Sequence, residues 1–127
     1  LATIVSSGLP AGVCSGSRRE VVLGMLQASG LGRFMRTVIT HEDVREPKPA
    51  PEGYLLAASR LGVDASACIV IEDSPTGIRA AKAAGMRVIG VCHSFGREKL
   101  GEADVLVGHI RELLAPSPSV PPTSPGR

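Results

Sequence analysis

The sequence predicts an α/β domain: a three-layer α/β/α sandwich around a mainly parallel sheet, a fold that three observations support. Short runs rich in Val and Ile alternate along the chain with stretches of helical apolar spacing, the pattern of βα units. The run Cys68-Ile69-Val70-Ile71 has no polar interruption and reads as a strand buried on both faces. Two adjacent carboxylates, Glu72 and Asp73, stand at its end, where open α/β sheets bind their ligands.

The elements follow in order. Residues 1–8 are small and apolar and give no clear element. Residues 9–14 are a short apolar run entered through Pro10, which suits the start of a strand. After Ser15-Gly16-Ser17, Val21, Val22, Met25 and Leu26 fall on one face of a helix over 18–29, with Gly30 as its C-cap. Residues 37–40 are a second strand. The polar loop 41–51 contains Pro47-Lys48-Pro49-Ala50-Pro51, whose prolines hold Lys48 extended. Tyr54, Leu55, Ala58 and Leu61 mark a helix over 52–61, ended by Gly62. The strand ending at Ile71 leads through Ser74-Pro75-Thr76-Gly77 into a helix that closes at Gly85. Residues 87–92 and 104–107 are further strands, 96–101 a short helix or turn, and 109–114 a last helix. From residue 115 the chain is Pro, Ser, Thr and Gly, too polar to bury a core, so 1–114 is expected to form the domain and 115–127 a disordered tail.

A chain of 127 residues makes one domain with a sizeable core, and with only Phe34, Tyr54 and Phe95 aromatic that core must be aliphatic. The net charge of +2 is spread along the chain and leaves no nucleic-acid footprint. No apolar run approaches the roughly 18 residues of a membrane span. Cys14, Cys68 and Cys92 are far apart and beside apolar runs, which fits buried free thiols in a reducing compartment, hence a cytoplasmic protein, expected to be monomeric. The chain starts at Leu1 and lacks a basic leader segment, which fits a processed form or a fragment.

Three strand ends carry groups suited to a phosphate and a metal. Ser15 offers a hydroxyl and Gly16 a backbone N–H just before a helix, an anion-binding arrangement that is equally an ordinary N-cap. Lys48 offers a rigidly held cation, or a solvated loop residue. Glu72 and Asp73 offer oxygen ligands to Mg²⁺, since buried carboxylates need a partner. Read without a metal, they cap the next helix with Ser74 or Asp73 as N-cap and Pro75 in its first turn.

In this order the three stretches resemble the haloacid dehalogenase superfamily, in its β-phosphoglucomutase-like and phosphoglycolate-phosphatase-like branch. Val13-Cys14-Ser15-Gly16-Ser17 is similar to the second motif, Lys48-Pro49-Ala50-Pro51-Glu52 to the third, and the long stretch from Val70 to Met86 to the fourth. The resemblance covers roughly residues 9–112. It implies a Rossmann-like core, incomplete at its N-terminus, of a Mg²⁺-dependent phosphatase or phosphomutase of small phosphorylated metabolites that works through an aspartyl-phosphate. By this resemblance Ser15 and Gly16 would hold phosphate oxygens, Lys48 would neutralise nucleophile and phosphate, and Asp73 with Glu72 would hold the metal. Such chemistry needs positioning and charge neutralisation above all.

One departure matters. The first motif, Asp-x-Asp-Gly-Thr, supplies the family's nucleophile, and the only aspartates here are Asp43, Asp64, Asp73 and Asp104. The helical cap of this branch is missing too. The chain therefore reads as the C-terminal part of such a core, with either a nucleophile supplied from elsewhere or an inactive module that at most binds phosphate or metal. A serine-hydrolase reading of Ser15 fails, because Gly12-Val13-Cys14-Ser15-Gly16 is not the Gly-x-Ser-x-Gly elbow and none of His41, His93 and His109 has a supporting context. No Walker or Gly-x-Gly-x-x-Gly sequence supports nucleotide binding.

Overall fold

A computed structural model of the chain describes residues 1–114; the expected tail, 115–127, lies outside the described residues. Its elements are α1 (Ala2–Ser6), β1 (Ala11–Cys14), α2 (Arg19–Ser29), β2 (Met35–Ile39), α3 (Glu52–Leu61), β3 (Ile69–Glu72), α4 (Pro75–Ala83), β4 (Arg87–Val91) and β5 (Val105–Val107). Every strand and the three longer helices fall where the apolar periodicity puts them. Gly30 and Gly62 end α2 and α3 with φ of 69° and 70°, left-handed conformations that cost glycine nothing. At the two ends of the described chain the expectations need correction. Residues 2–6 form a short helix that buries no side chain, and residues 110–114 form a 3₁₀ turn in place of an α-helix.

All strand pairs are parallel, but they form two sheets: β1 with β2, and β3-β4-β5. β1 and β3 are each paired along one edge only, and the Lys48 side chain reaches between their carboxyl ends. Helices α3 and α4 touch each other and cover one face, α3 over β1 and β2, α4 over β3 and β4. β1 leads outward to β2 and β3 leads the opposite way to β4, so right-handed crossovers put α2 on the other face. The result is three layers in which the order of the strands reverses between β1 and β3, the crevice where doubly wound folds bind ligands.

The core lies under α3 and α4. Ile39, Ile78, Val88 and Leu100 are its most buried large apolar side chains, with Ala80 and Ala81 letting α4 sit close to the sheet. β3 is buried on one face only, which corrects the two-faced burial expected from its unbroken apolar run. Val70 points into the core, while Ile69 and Ile71 on the opposite face are 56% and 43% exposed. Among the described residues no helix covers that face, where Ile71, Ile89 and Val105 stand in register. No helix among them is long and apolar enough to cross a membrane.

Candidate functional site

β1 delivers Ser15 to the carboxyl edge, and the Ser15 N–H donates to the Ile39 carbonyl at 2.9 Å, one step beyond the strand pairing. The Ser15 hydroxyl accepts the Ser17 N–H at 3.1 Å, closing a tight local turn. At Gly16 open space lies where a side chain would begin, so its N–H can be approached. The loop after β2 braces this turn, with the His41 N–H bound to the Ser17 carbonyl at 3.0 Å. Glu42 then accepts the Arg19 N–H at 2.9 Å, so the first turn of α2 is capped by the chain's own carboxylate.

Lys48 comes from the proline loop, and its peptide bond to Pro49 is cis. Its ammonium donates to the Cys14 carbonyl at 3.1 Å and to Glu72 Oε1 at 2.7 Å. It also lies 4.8 Å from the centre of the Tyr54 ring, within cation–π range. Ser15, Gly16, His41, Glu46 and Lys48 line one crevice beside Cys14. The structure thus brings together the Ser15–Gly16 turn, Lys48 and Glu72.

Glu72 is fully engaged. Its Oε1 accepts from Lys48 and from the Tyr54 hydroxyl at 2.8 Å; its Oε2 accepts from the N–H groups of Asp73 and Ser74 and from the Ser74 hydroxyl at 3.0–3.1 Å. Burial works to raise its pKa, but the Lys48, Tyr54 and Ser74 donors outweigh this and hold the carboxyl below its ordinary value. The same burial, with the Glu72 charge beside it, pushes the Tyr54 phenol far above its usual value. Burial also raises the Cys14 thiol. All three cysteines are free, as expected, but half-buried rather than buried.

Asp73 behaves differently from its neighbour. It is exposed, and its Oδ2 accepts the Ser94 hydroxyl at 3.0 Å from the loop after β4. Ser74 is the N-cap of α4, accepting the Gly77 N–H at 3.1 Å, with Pro75 in the first turn. Among the described residues no group of three or more His, Cys, Asp or Glu side chains converges on a point. Among the described residues Asp73 Oδ1 has no hydrogen-bond partner, whereas both oxygens of Glu72 are occupied.

Sequence reasoning missed Tyr54 and Ser94 as parts of the site. Tyr54 sits at helical spacing among apolar residues and reads as core, which at 7% exposure it also is. Ser94 carries only one signal, its place just past a strand end.

A family model for haloacid dehalogenase-like hydrolases matches residues 1–91. Validoxylamine A 7'-phosphate phosphatase of Streptomyces hygroscopicus subsp. limoneus is 40% identical over 108 residues, 85% of this chain and 51% of that protein. Phosphoglycolate phosphatase of Escherichia coli is 31% identical over 117 residues, 90% of this chain and 46% of that one. The crystal structure of β-phosphoglucomutase from Clostridium difficile superposes with a TM-score of 0.81 at 28% identity, over 88% of this chain and 48% of that chain. The chain spans about half the length of these relatives.

Proposed function

The chain belongs to the haloacid dehalogenase-like hydrolases, and on that premise we propose that it forms the phosphate-holding part of a phosphatase or phosphomutase core for small phosphorylated metabolites. The observation that carries this reading is the position of Lys48, held between the carboxyl ends of β1 and β3 while lining one crevice with Ser15 and Gly16. Two of its three N–H donors are used by Cys14 and Glu72, which leaves one for a phosphate oxygen. The Ser15 hydroxyl and the Gly16 N–H offer two further donors. Relatives named for phosphorylated substrates support the substrate class.

Mg²⁺ fits Asp73, an exposed carboxylate on the same strand end, since this ion takes one or two carboxylates and completes its shell with water and substrate oxygens. Bound there, it would neutralise charge on the phosphoryl group. Glu72 supports Asp73 by holding its backbone N–H and fixing Lys48.

The attacking carboxylate is supplied from outside these 127 residues. Asp43 is bound to Thr40 and Arg19, Asp104 to Lys82 and the Val88 N–H, and Asp64 precedes β3 at the end opposite Glu72, while Asp73 is the candidate metal ligand. In the full reaction that carboxylate attacks phosphorus, the substrate oxygen leaves and takes up a proton, and the acyl phosphate then passes its phosphoryl group to water or to a second hydroxyl. The protein is proposed to act as a monomer in the cytoplasm.

Phosphate release from an aryl phosphate and several sugar phosphates, with Mg²⁺, tests the reading. The 127-residue chain should show no turnover. A longer polypeptide in which Asp-x-Asp-Gly-Thr and a cap precede Leu1 should be active and lose activity in Lys48→Ala and Asp73→Asn. Turnover by the 127 residues alone, abolished by Asp73→Asn, would refute the external nucleophile. A folded but inactive longer polypeptide would favour the second reading, a non-catalytic module.

A further inference from the structure

We propose that Tyr54 is a positioning residue for Lys48, acting through its hydroxyl on the Glu72 oxygen that Lys48 binds and through its ring on the ammonium itself. The inference rests on the reading of Lys48 as a phosphate ligand and adds what fixes it in place.

Four contacts carry the argument. Glu72 Oε1 accepts from both Tyr54 Oη at 2.8 Å and Lys48 Nζ at 2.7 Å, so one oxygen is pinned from two sides. The ammonium, held by Glu72 on one side, lies 4.8 Å from the Tyr54 ring centre, so the ring limits its movement on a second side. The Cys14 carbonyl at 3.1 Å limits it on a third. A flexible four-carbon side chain is thereby confined to one position, with one donor left for the crevice. Packing alone would be satisfied by Phe at this place on α3. The hydroxyl is what a purely apolar role leaves unexplained, and it ends on the carboxylate that holds Lys48.

The two parts of the role separate by substitution. Tyr54→Phe keeps the ring and removes the hydroxyl; Tyr54→Leu removes both. Phosphate would then meet a lysine that samples other positions, and its affinity should fall about three- to tenfold in Tyr54→Phe, the worth of one hydrogen bond. The fall should be larger in Tyr54→Leu.

The experiment is NMR of the 127-residue chain with labelled lysine, titrated with inorganic phosphate. In the unsubstituted protein the ring should shift the Lys48 ε-methylene protons upfield of those of Lys82, and the Lys48 ammonium protons should exchange slowly. Tyr54→Phe should keep the upfield shift, lose the slow exchange and weaken phosphate binding. Leu100→Ala, which removes a buried side chain elsewhere in the core, should lower stability and leave the Lys48 signals unchanged. An unshifted Lys48 signal in the unsubstituted protein overturns the proposal without any variant. So does a Tyr54→Phe protein whose Lys48 signals and phosphate affinity match the parent. Failure of the parent to bind phosphate would instead overturn the reading of Lys48 as a phosphate ligand, and the methylene shift and exchange rate would still decide the role of Tyr54.

Discussion

Gly77 stands in the first turn of α4, where a glycine ordinarily weakens a helix, and replacing it with alanine should nevertheless destabilise this protein. A β-carbon built at Gly77 falls directly on the Glu72 carboxyl group. A glutamate side chain can usually swing aside, but this one accepts five hydrogen bonds and is 9% exposed. Displacing it strips Lys48 of its ion pair and leaves the Tyr54 hydroxyl and two turn N–H groups unmet. Breaking a buried pair on one side costs about 3–5 kcal/mol, and partial access of water to Lys48, 20% exposed, argues for the lower end. Alanine returns at most about 1 kcal/mol of helix propensity. The net loss is then about 2–3 kcal/mol, a fall in melting temperature of roughly 10 °C for a domain of this size. Urea unfolding of the parent, Gly77→Ala, Glu72→Ala and the double variant measures it. In the Glu72→Ala background the obstruction is gone, so Gly77→Ala should be neutral or stabilising by up to about 1 kcal/mol. An equal loss in both backgrounds, or a gain from Gly77→Ala alone, would refute the reasoning.

Three further outcomes follow from named contacts. Leu100→Ala, at a fully buried position, should cost about 2–5 kcal/mol in urea unfolding. Asp73→Asn should leave unfolding free energy within about 0.5 kcal/mol, since the residue is exposed, and remove Mg²⁺ binding measured by calorimetry; retained binding would sink the ligand assignment. Asp43 is held below its ordinary pKa by the Thr40 N–H, with Arg19 adding to it, and Asp104 by Lys82 and the Val88 N–H. Groups depressed on folding stabilise the protein above their unfolded values, near 4, and lose that contribution as pH falls through the lower folded values. The thermal midpoint should therefore be steady from about pH 7 to 5 and fall below about 4, less steeply in Asp43→Asn; a midpoint that rises on acidification would contradict the assignments.

Much of this was legible because the signals are local. Apolar periodicity marks each strand and the longer helices, Gly30 and Gly62 mark helix ends, and Ser74-Pro75 marks the start of α4. The pairing of strands is not local. Nothing in the residues of β1 or β3 says that their inner edges stay unpaired, and the unbroken run Ile69-Val70-Ile71 looks the same whether one face is covered or two. The site divides in the same way. Ser15, Lys48 and Asp73 announce themselves by residue type at strand ends. Tyr54 and Ser94 act through partners 18 and 21 residues away, contacts that only folding creates.

The two adjacent carboxylates show why residue type alone does not assign a role. At the end of a strand successive side chains leave on opposite sides, so Glu72 and Asp73 meet different surroundings although the chemistry of the two groups is the same. Glu72 turns toward α3 and α4, where Lys48 and Tyr54 from one side and the α4 turn from the other fill both its oxygens. Asp73 turns toward the loop after β4 and keeps one oxygen free beyond Ser94. Recruiting Glu72 to a cation would mean giving up donors that hold Lys48, so metal binding and lysine positioning would compete for one carboxylate. Recruiting Asp73 disturbs only an exposed hydroxyl contact. On this geometry the longer, buried acid organises the lysine and, in the proposed function, the shorter, exposed acid is the one left to meet a cation; Gly77 is the residue whose missing side chain allows that division.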